Sequence, residues 1–122
     1  MRLVLCYGIF DRPLNEYQAY FEAARLQGDR VLAVVVRDRL VLEALEQLPT
    51  IGEAARVERL RNHPLIESAY LAHPVEPWRT IEDLRPHICL LGEERHGLPE
   101  ALEPLLIRRG IFLSVQSVAH SR

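Results

Sequence analysis

Six consecutive apolar residues, Val31-Leu32-Ala33-Val34-Val35-Val36, do most to set the fold class of this chain of 122 residues. The run lacks the in-out alternation of a strand with one wet face, so it reads as a strand covered by helices on both sides, as in parallel sheets. Helical and strand patterns alternate around it. Arg2–Tyr7 predicts a first strand. Leu14–Gln27 places Tyr17, Tyr20, Phe21 and Ala24 at helical spacing and stops at Gly28. The second strand is Arg30–Val36, followed by a helix over Arg39–Gln47 that Pro49 closes and another over Glu53–Asn62 that stops near Pro64. A third strand, Ile66–Ala72, precedes a short helix, Thr80–Leu84, and a fourth strand, His87–Leu91. Glu100–Arg109 is a further helix and Ile111–Val115 a fifth strand. Strands joined through helices require right-handed crossovers, so the expected fold is α/β, a doubly wound parallel five-stranded Rossmann-like sheet in one domain over residues 1–122.

Composition removes several classes of function. The formal charge of −2 comes from 15 basic and 17 acidic residues spread along the chain. That gives no basic stripe for nucleic acid. The longest apolar run is far below the roughly 20 residues that span a bilayer, and the N-terminus has no signal-peptide layout, so a cytoplasmic protein with no membrane partner is expected. Every basic residue is arginine; there is no lysine. A Walker-type phosphate loop, a Schiff-base enzyme and a phospho-receiver pocket each need that missing amine. Cys6 and Cys89 sit inside apolar strands without metal or disulfide spacing and read as small core hydrophobes. His63, His73, His87, His96 and His120 fall on different elements, which makes no metal site. Beyond the fifth strand only residues 116–122 follow, too few for a full packing helix; a thinly covered face and a homodimer are therefore expected.

The segment with chemical content is Gly8-Ile9-Phe10-Asp11, directly after the first strand. A strand end that turns into a helix start is a ready anion site in an open α/β sheet. Gly8 permits close backbone approach, Phe10 can anchor the turn in the core, and Asp11 can cap or orient it. Arg12 on the same loop can meet a phosphate. Gly92 and Glu93 open the loop after the fourth strand, Gly92-Glu93-Glu94-Arg95-His96-Gly97, which should neighbour the first loop where strand order reverses. Arg56 faces the sheet edge from its helix, with a surface ion pair to Glu53 as its other reading. Trp78 after Pro77 can stack a base or pack under the crossover.

These blocks resemble the cytidylyltransferase-like nucleotidyltransferases, the glycerol-3-phosphate cytidylyltransferase and FAD synthase type. That family opens on G-x-F-D-x-x-H-x-G-H, matched here by Gly8, Phe10 and Asp11. Leu26-Gln27-Gly28-Asp29 before the second strand, Glu53-Ala54-Ala55-Arg56 at a helix start and Arg85-Pro86-His87-Ile88-Cys89-Leu90-Leu91-Gly92-Glu93 continue the resemblance over about residues 2 to 115. It implies a nucleotidyltransferase fold that takes CTP or ATP, with Mg2+ accompanying the nucleotide if the enzyme is active. Gly8, Phe10, Asp11, Arg12, Arg56, Gly92 and Glu93 become its nucleotide-binding candidates.

The departures fall on the catalytic positions. Leu14-Asn15-Glu16-Tyr17 stands where the family has H-x-G-H, so both histidines and their glycine are missing. Leu14 donates no hydrogen bond, and Glu16 puts negative charge and bulk where a triphosphate would lie. The family's lysine before the E-x-x-R helix is replaced by the region of Leu48-Pro49, and its I-S-T-T end has only a frayed counterpart in Leu113-Ser114-Val115-Gln116-Ser117. Nucleotidyl transfer depends on positioning and charge stabilisation, so the expectation is a degenerate site with no catalytic residue, at most weakly nucleotide-binding. Two alternatives stand beside it: an active nucleotidyltransferase working through Arg12, Asn15, Arg56 and His96, and a non-catalytic scaffold or dimerisation module.

Overall fold

The computed structural model describes residues 1–92, 98 and 102–115. In chain order the elements are β1 (Leu3–Gly8), α1 (Gln18–Gln27), β2 (Arg30–Val35), α2 (Asp38–Leu45), α3 (Glu53–Arg61), β3 (Ser68–Leu71), α4 (Trp78–Leu84), β4 (Ile88–Leu91), α5 (Leu102–Arg108) and β5 (Phe112–Val115). The strands form one parallel sheet in the order β3-β2-β1-β4-β5. The expected α/β architecture is therefore the observed one. Strand order reverses at β1, and Tyr7 pairs with Leu91, so Gly8 and Gly92 leave the sheet side by side.

Burial on both faces explains the unbroken apolar strands. On one face Val4, Cys6, Val31, Ala33, Val35 and Leu90 pack against Phe21 and Ala24 of α1 and Val57 and Leu60 of α3. On the other, Leu5, Tyr7, Val34, Cys89 and Leu91 meet Val41 of α2, Ile81 of α4 and Leu102 and Leu106 of α5. Both cysteines are free thiols, and burial raises the Cys6 pKa far above its ordinary value, leaving it a neutral space-filler. The Tyr20 hydroxyl donates to the Leu90 carbonyl at 2.9 Å, which ties α1 to β4 through an otherwise apolar layer. Trp78 at the start of α4 packs against the second face rather than standing free.

Boundaries differ from expectation where local geometry intervenes. The first helix opens with a 3-10 turn over Leu14–Tyr17, because Pro13 lacks an N–H and the chain leaves β1 in a tight bend. The third strand shortens to Ser68–Leu71, although the Glu67 and Ala72 amides still donate to Val31 and Val35. It is an edge strand, and Arg61 guards it by donating from Nε to the Ala69 carbonyl. Gly28 ends α1 with extended backbone, φ −163°, not in the left-handed region. Glycine is needed there for space: a Cβ would lie 2.6 Å from Val4 Cγ2 and 2.8 Å from the Arg2 carbonyl oxygen.

Two outcomes follow for stability. Gly28→Ala must push α1 away from β1, and a loss of about 1–3 kcal/mol is expected in urea unfolding. His63 lies edge-on to Phe21 at 5.0 Å; its Nδ1 accepts from the Leu65 amide, so Nε2–H donates to Gln18. Burial lowers its pKa in the folded state. The unfolded chain therefore takes up this proton first as pH falls, so the stability linked to His63 is whole above about 6.5 and is lost progressively below it. His63→Gln should flatten the pH dependence of the melting temperature between about pH 7 and 5.

Candidate functional site

The loop that leaves β1 is bent by its own side chains. Phe10 has φ +57°, a left-handed conformation that costs a non-glycine residue about 1–3 kcal/mol. Burial of its ring offsets this. Phe10 is 1% exposed and meets Tyr17 edge-to-face at 5.2 Å and Phe21 at 5.8 Å. Tyr17 in turn stacks on Phe21 at 6.0 Å, and its hydroxyl accepts the Arg12 amide at 3.3 Å.

This packing decides the fate of the segment Leu14–Tyr17. Tyr17 is wholly buried in the aromatic cluster, Leu14 packs partly against the same core, and Glu16 stays exposed on the turn. None of the three presents a cationic or imidazole donor beside the strand ends.

Asp11 acts differently from the expected cap on its own helix. Its carboxylate accepts the amides of Thr50 and Ile51 at 2.9 and 3.0 Å, tying the β1 loop to the connection between α2 and α3. Arg12 is half-buried, and its guanidinium has no acceptor among the described residues. A cleft of about 200 Å3 opens beside the loop, lined by Ile9, Asp11, Arg12, Val41, Leu45 and Leu48. Gly92 is buried at the end of β4; Glu93 lies outside the described residues, as do His96 and Ser117. A larger hollow of about 530 Å3 sits at the opposite end of the sheet among Glu82, Arg85, Arg108 and Arg109, remote from these loops.

Arg56 is neither on the surface nor paired with Glu53. It is 0% exposed, and its guanidinium donates to the Ile51 carbonyl (2.9 Å), the Ile9 and Val36 carbonyls (2.7 and 2.8 Å) and Asp38 (2.6 Å). Those inward acceptors outcompete a solvated ion pair one helical turn away. A direct phosphate contact would have to break them, so its place here is as a brace. Glu53 is engaged elsewhere: it accepts the Asp38 amide at 2.8 Å, while Asp38 accepts the Glu53 amide at 3.2 Å. Each helix N-terminus, that of α2 and that of α3, is capped by the other's first carboxylate. Residue spacing could not reveal this pair, since 15 residues separate them. Arg59 was missed as well. Its Nη2 donates to both the Phe10 and the Arg12 carbonyls.

Among the described residues no group of three His, Cys, Asp or Glu side chains could hold a metal ion. The nearby carboxylates Asp11, Asp38 and Glu53 are all spent on amides or arginine. No helix among the described residues is long and apolar enough to cross a membrane.

Arg56→Ala should leave three carbonyls and one carboxylate without their donor. Loss of about 3–5 kcal/mol is expected, measured by chemical denaturation, with Arg56→Lys intermediate.

No protein-family model matches the chain. It is, however, 30% identical over 112 residues to the FAD synthase of Aciduliprofundum boonei, covering 92% of this chain and 74% of that protein. The FAD synthase of Methanobrevibacter ruminantium is 28% identical over 98% of this chain and 81% of its own length. The solved structure of a lipopolysaccharide core biosynthesis protein from Thermoplasma volcanium superposes with a TM-score of 0.80 at 23% identity, over 100% of this chain and 99% of that one, and has the same fold. Sequence and fold agree, and the chain belongs to the cytidylyltransferase-like nucleotidyltransferase family, among relatives of the FAD synthase type.

Proposed function

We propose that this protein keeps a nucleotide crevice at the ends of β1 and β4 but lacks efficient nucleotidyl transfer. The observation that carries this reading is the inward packing of Tyr17 with Phe10 and Phe21, at the position where the family places its second histidine. Leu14 supplies no donor, and Glu16 adds charge of the wrong sign for a triphosphate. Since phosphoryl chemistry rests on donors aimed at developing charge, their joint absence removes most of the rate.

The crevice reading rests on Gly8, Phe10, Asp11, Arg12 and Gly92, with Arg56 as a brace; Glu93, the remaining candidate from the sequence, lies outside the described residues. The name of the relatives makes ATP the first nucleotide to test, with CTP the comparison and Mg2+ supplied by the nucleotide complex. A homodimer belongs to the same reading: Ile107 and Phe112 are 62% and 64% exposed on and beside the edge strand β5.

Calorimetry with ATP and CTP, with and without magnesium, tests the binding, and pyrophosphate release with FMN as acceptor tests the chemistry. Binding without turnover is the expected result. Steady turnover above a no-enzyme control identifies a working nucleotidyltransferase instead; absence of binding favours a scaffold. Glu16→Gly combined with Leu14→His removes a repulsive charge and restores a donor, so affinity should rise by about 1–3 kcal/mol. Gly92→Val, which adds a branched side chain where the chain leaves β4, should abolish that gain while circular dichroism stays native.

A further inference from the structure

Arg59 occupies an unusual position for a surface-helix arginine. Its Nη2 holds the Phe10 and Arg12 carbonyls together, yet its Nε is buried with no hydrogen-bond partner, and no carboxylate pairs with it among the described residues. Two other arginines near the β1 loop have a carboxylate for their charge: Arg56 has Asp38, and Arg37 lies 3.8 Å from Glu53. Buried polar atoms are rarely left unmatched, and a cation removed from water without a counter-charge is costly. Among the described residues, Arg59 thus keeps a positive charge directly behind the β1 loop with no carboxylate paired to it.

The loop geometry extends the argument. Carbonyl oxygen and amide hydrogen lie on opposite sides of a trans peptide, so fixing the Phe10 carbonyl on Arg59 turns the Asp11 amide away from α3. That amide has no acceptor among the described residues. The Asp11 carboxylate, which would oppose an anion, is drawn onto the amides of Thr50 and Ile51. Arg12 adds a second uncommitted cation on the same loop.

We propose that Arg59 is the positioning residue of the crevice: without touching the ligand, it locks the loop of residues 10–12 in an anion-accepting shape and supplies the background charge that draws a di- or triphosphate there. The inference rests on the nucleotide-crevice reading but concerns the phosphate part alone, so inorganic pyrophosphate separates the two. Calorimetry on the full chain with pyrophosphate and with ATP, at low and high salt, compares the parent with Arg59→Lys and Arg59→Met. Arg59→Met should lower both affinities about tenfold or more and reduce their salt dependence, because a charge and a tether vanish together. Arg59→Lys keeps a charge able to reach the two carbonyls and should stay within about threefold. In the unmutated protein, pyrophosphate should also shift the nuclear magnetic resonance signals of Arg59 Nε and the Asp11 amide, which keeps the test decisive if the methionine variant does not fold. Unchanged binding in Arg59→Met, equal losses in both variants, or no shift at Arg59 overturns the assignment. A parent that binds pyrophosphate but neither nucleotide removes the nucleotide reading and leaves Arg59 in place; one that binds no anion removes both.

Discussion

The buried guanidinium of Arg56 is the constraint on which the upper end of the sheet depends. Its four hydrogen bonds reach the exit of β1, the exit of β2, the start of α2 and the turn before α3. A charge this deep is tolerable because nearly every donor is matched, one of them by Asp38. In return, the segments that leave parallel strands in different directions are held to a common centre. Apolar packing could not do this, since each of these backbone carbonyls must find a donor once shielded from water.

Around that centre the charges of the crevice are settled internally. Asp38 and Glu53 fill each other's helix ends, Asp11 fills the amides of Thr50 and Ile51, and Arg56 is consumed. Here the helix ends of α2 and α3 have little left to give an outside anion, and what is left lies on the β1 loop with Arg12 and, behind it, Arg59. The aromatic cluster of Phe10, Tyr17, Tyr20 and Phe21 reinforces the point by drawing the segment Leu14–Tyr17 toward the core.

The sheet was readable in advance because its signals are local and strong. Strands such as Val31–Val35 carry their burial on both faces in composition alone, and the helices between them carry it in period. The site was readable in part. Gly8, Phe10 and Asp11 could be picked out as a strand-to-helix turn, and Arg56 could be placed on the helix face toward the sheet edge. Which way they point could not. Arg56 looks like any helix arginine until three carbonyls from other segments converge on it, and Asp11 looks like a cap for its own helix until the loop near residue 50 folds over it.

The sequence by itself therefore determined the alternation of elements, the parallel sheet they must form and the absence of lysine and histidine from the positions where this family does its chemistry. These are properties of residue type and spacing, which need no neighbour to be defined. Tertiary structure decided the remainder: the reciprocal capping of α2 and α3, the burial of Arg56, the inward turn of Tyr17 and the placement of Arg59, without a carboxylate partner among the described residues, behind the β1 loop. Each depends on groups brought together from segments remote in the chain, and hydrogen bonding and desolvation are settled by what lies within a few ångströms in space, whatever the separation in sequence.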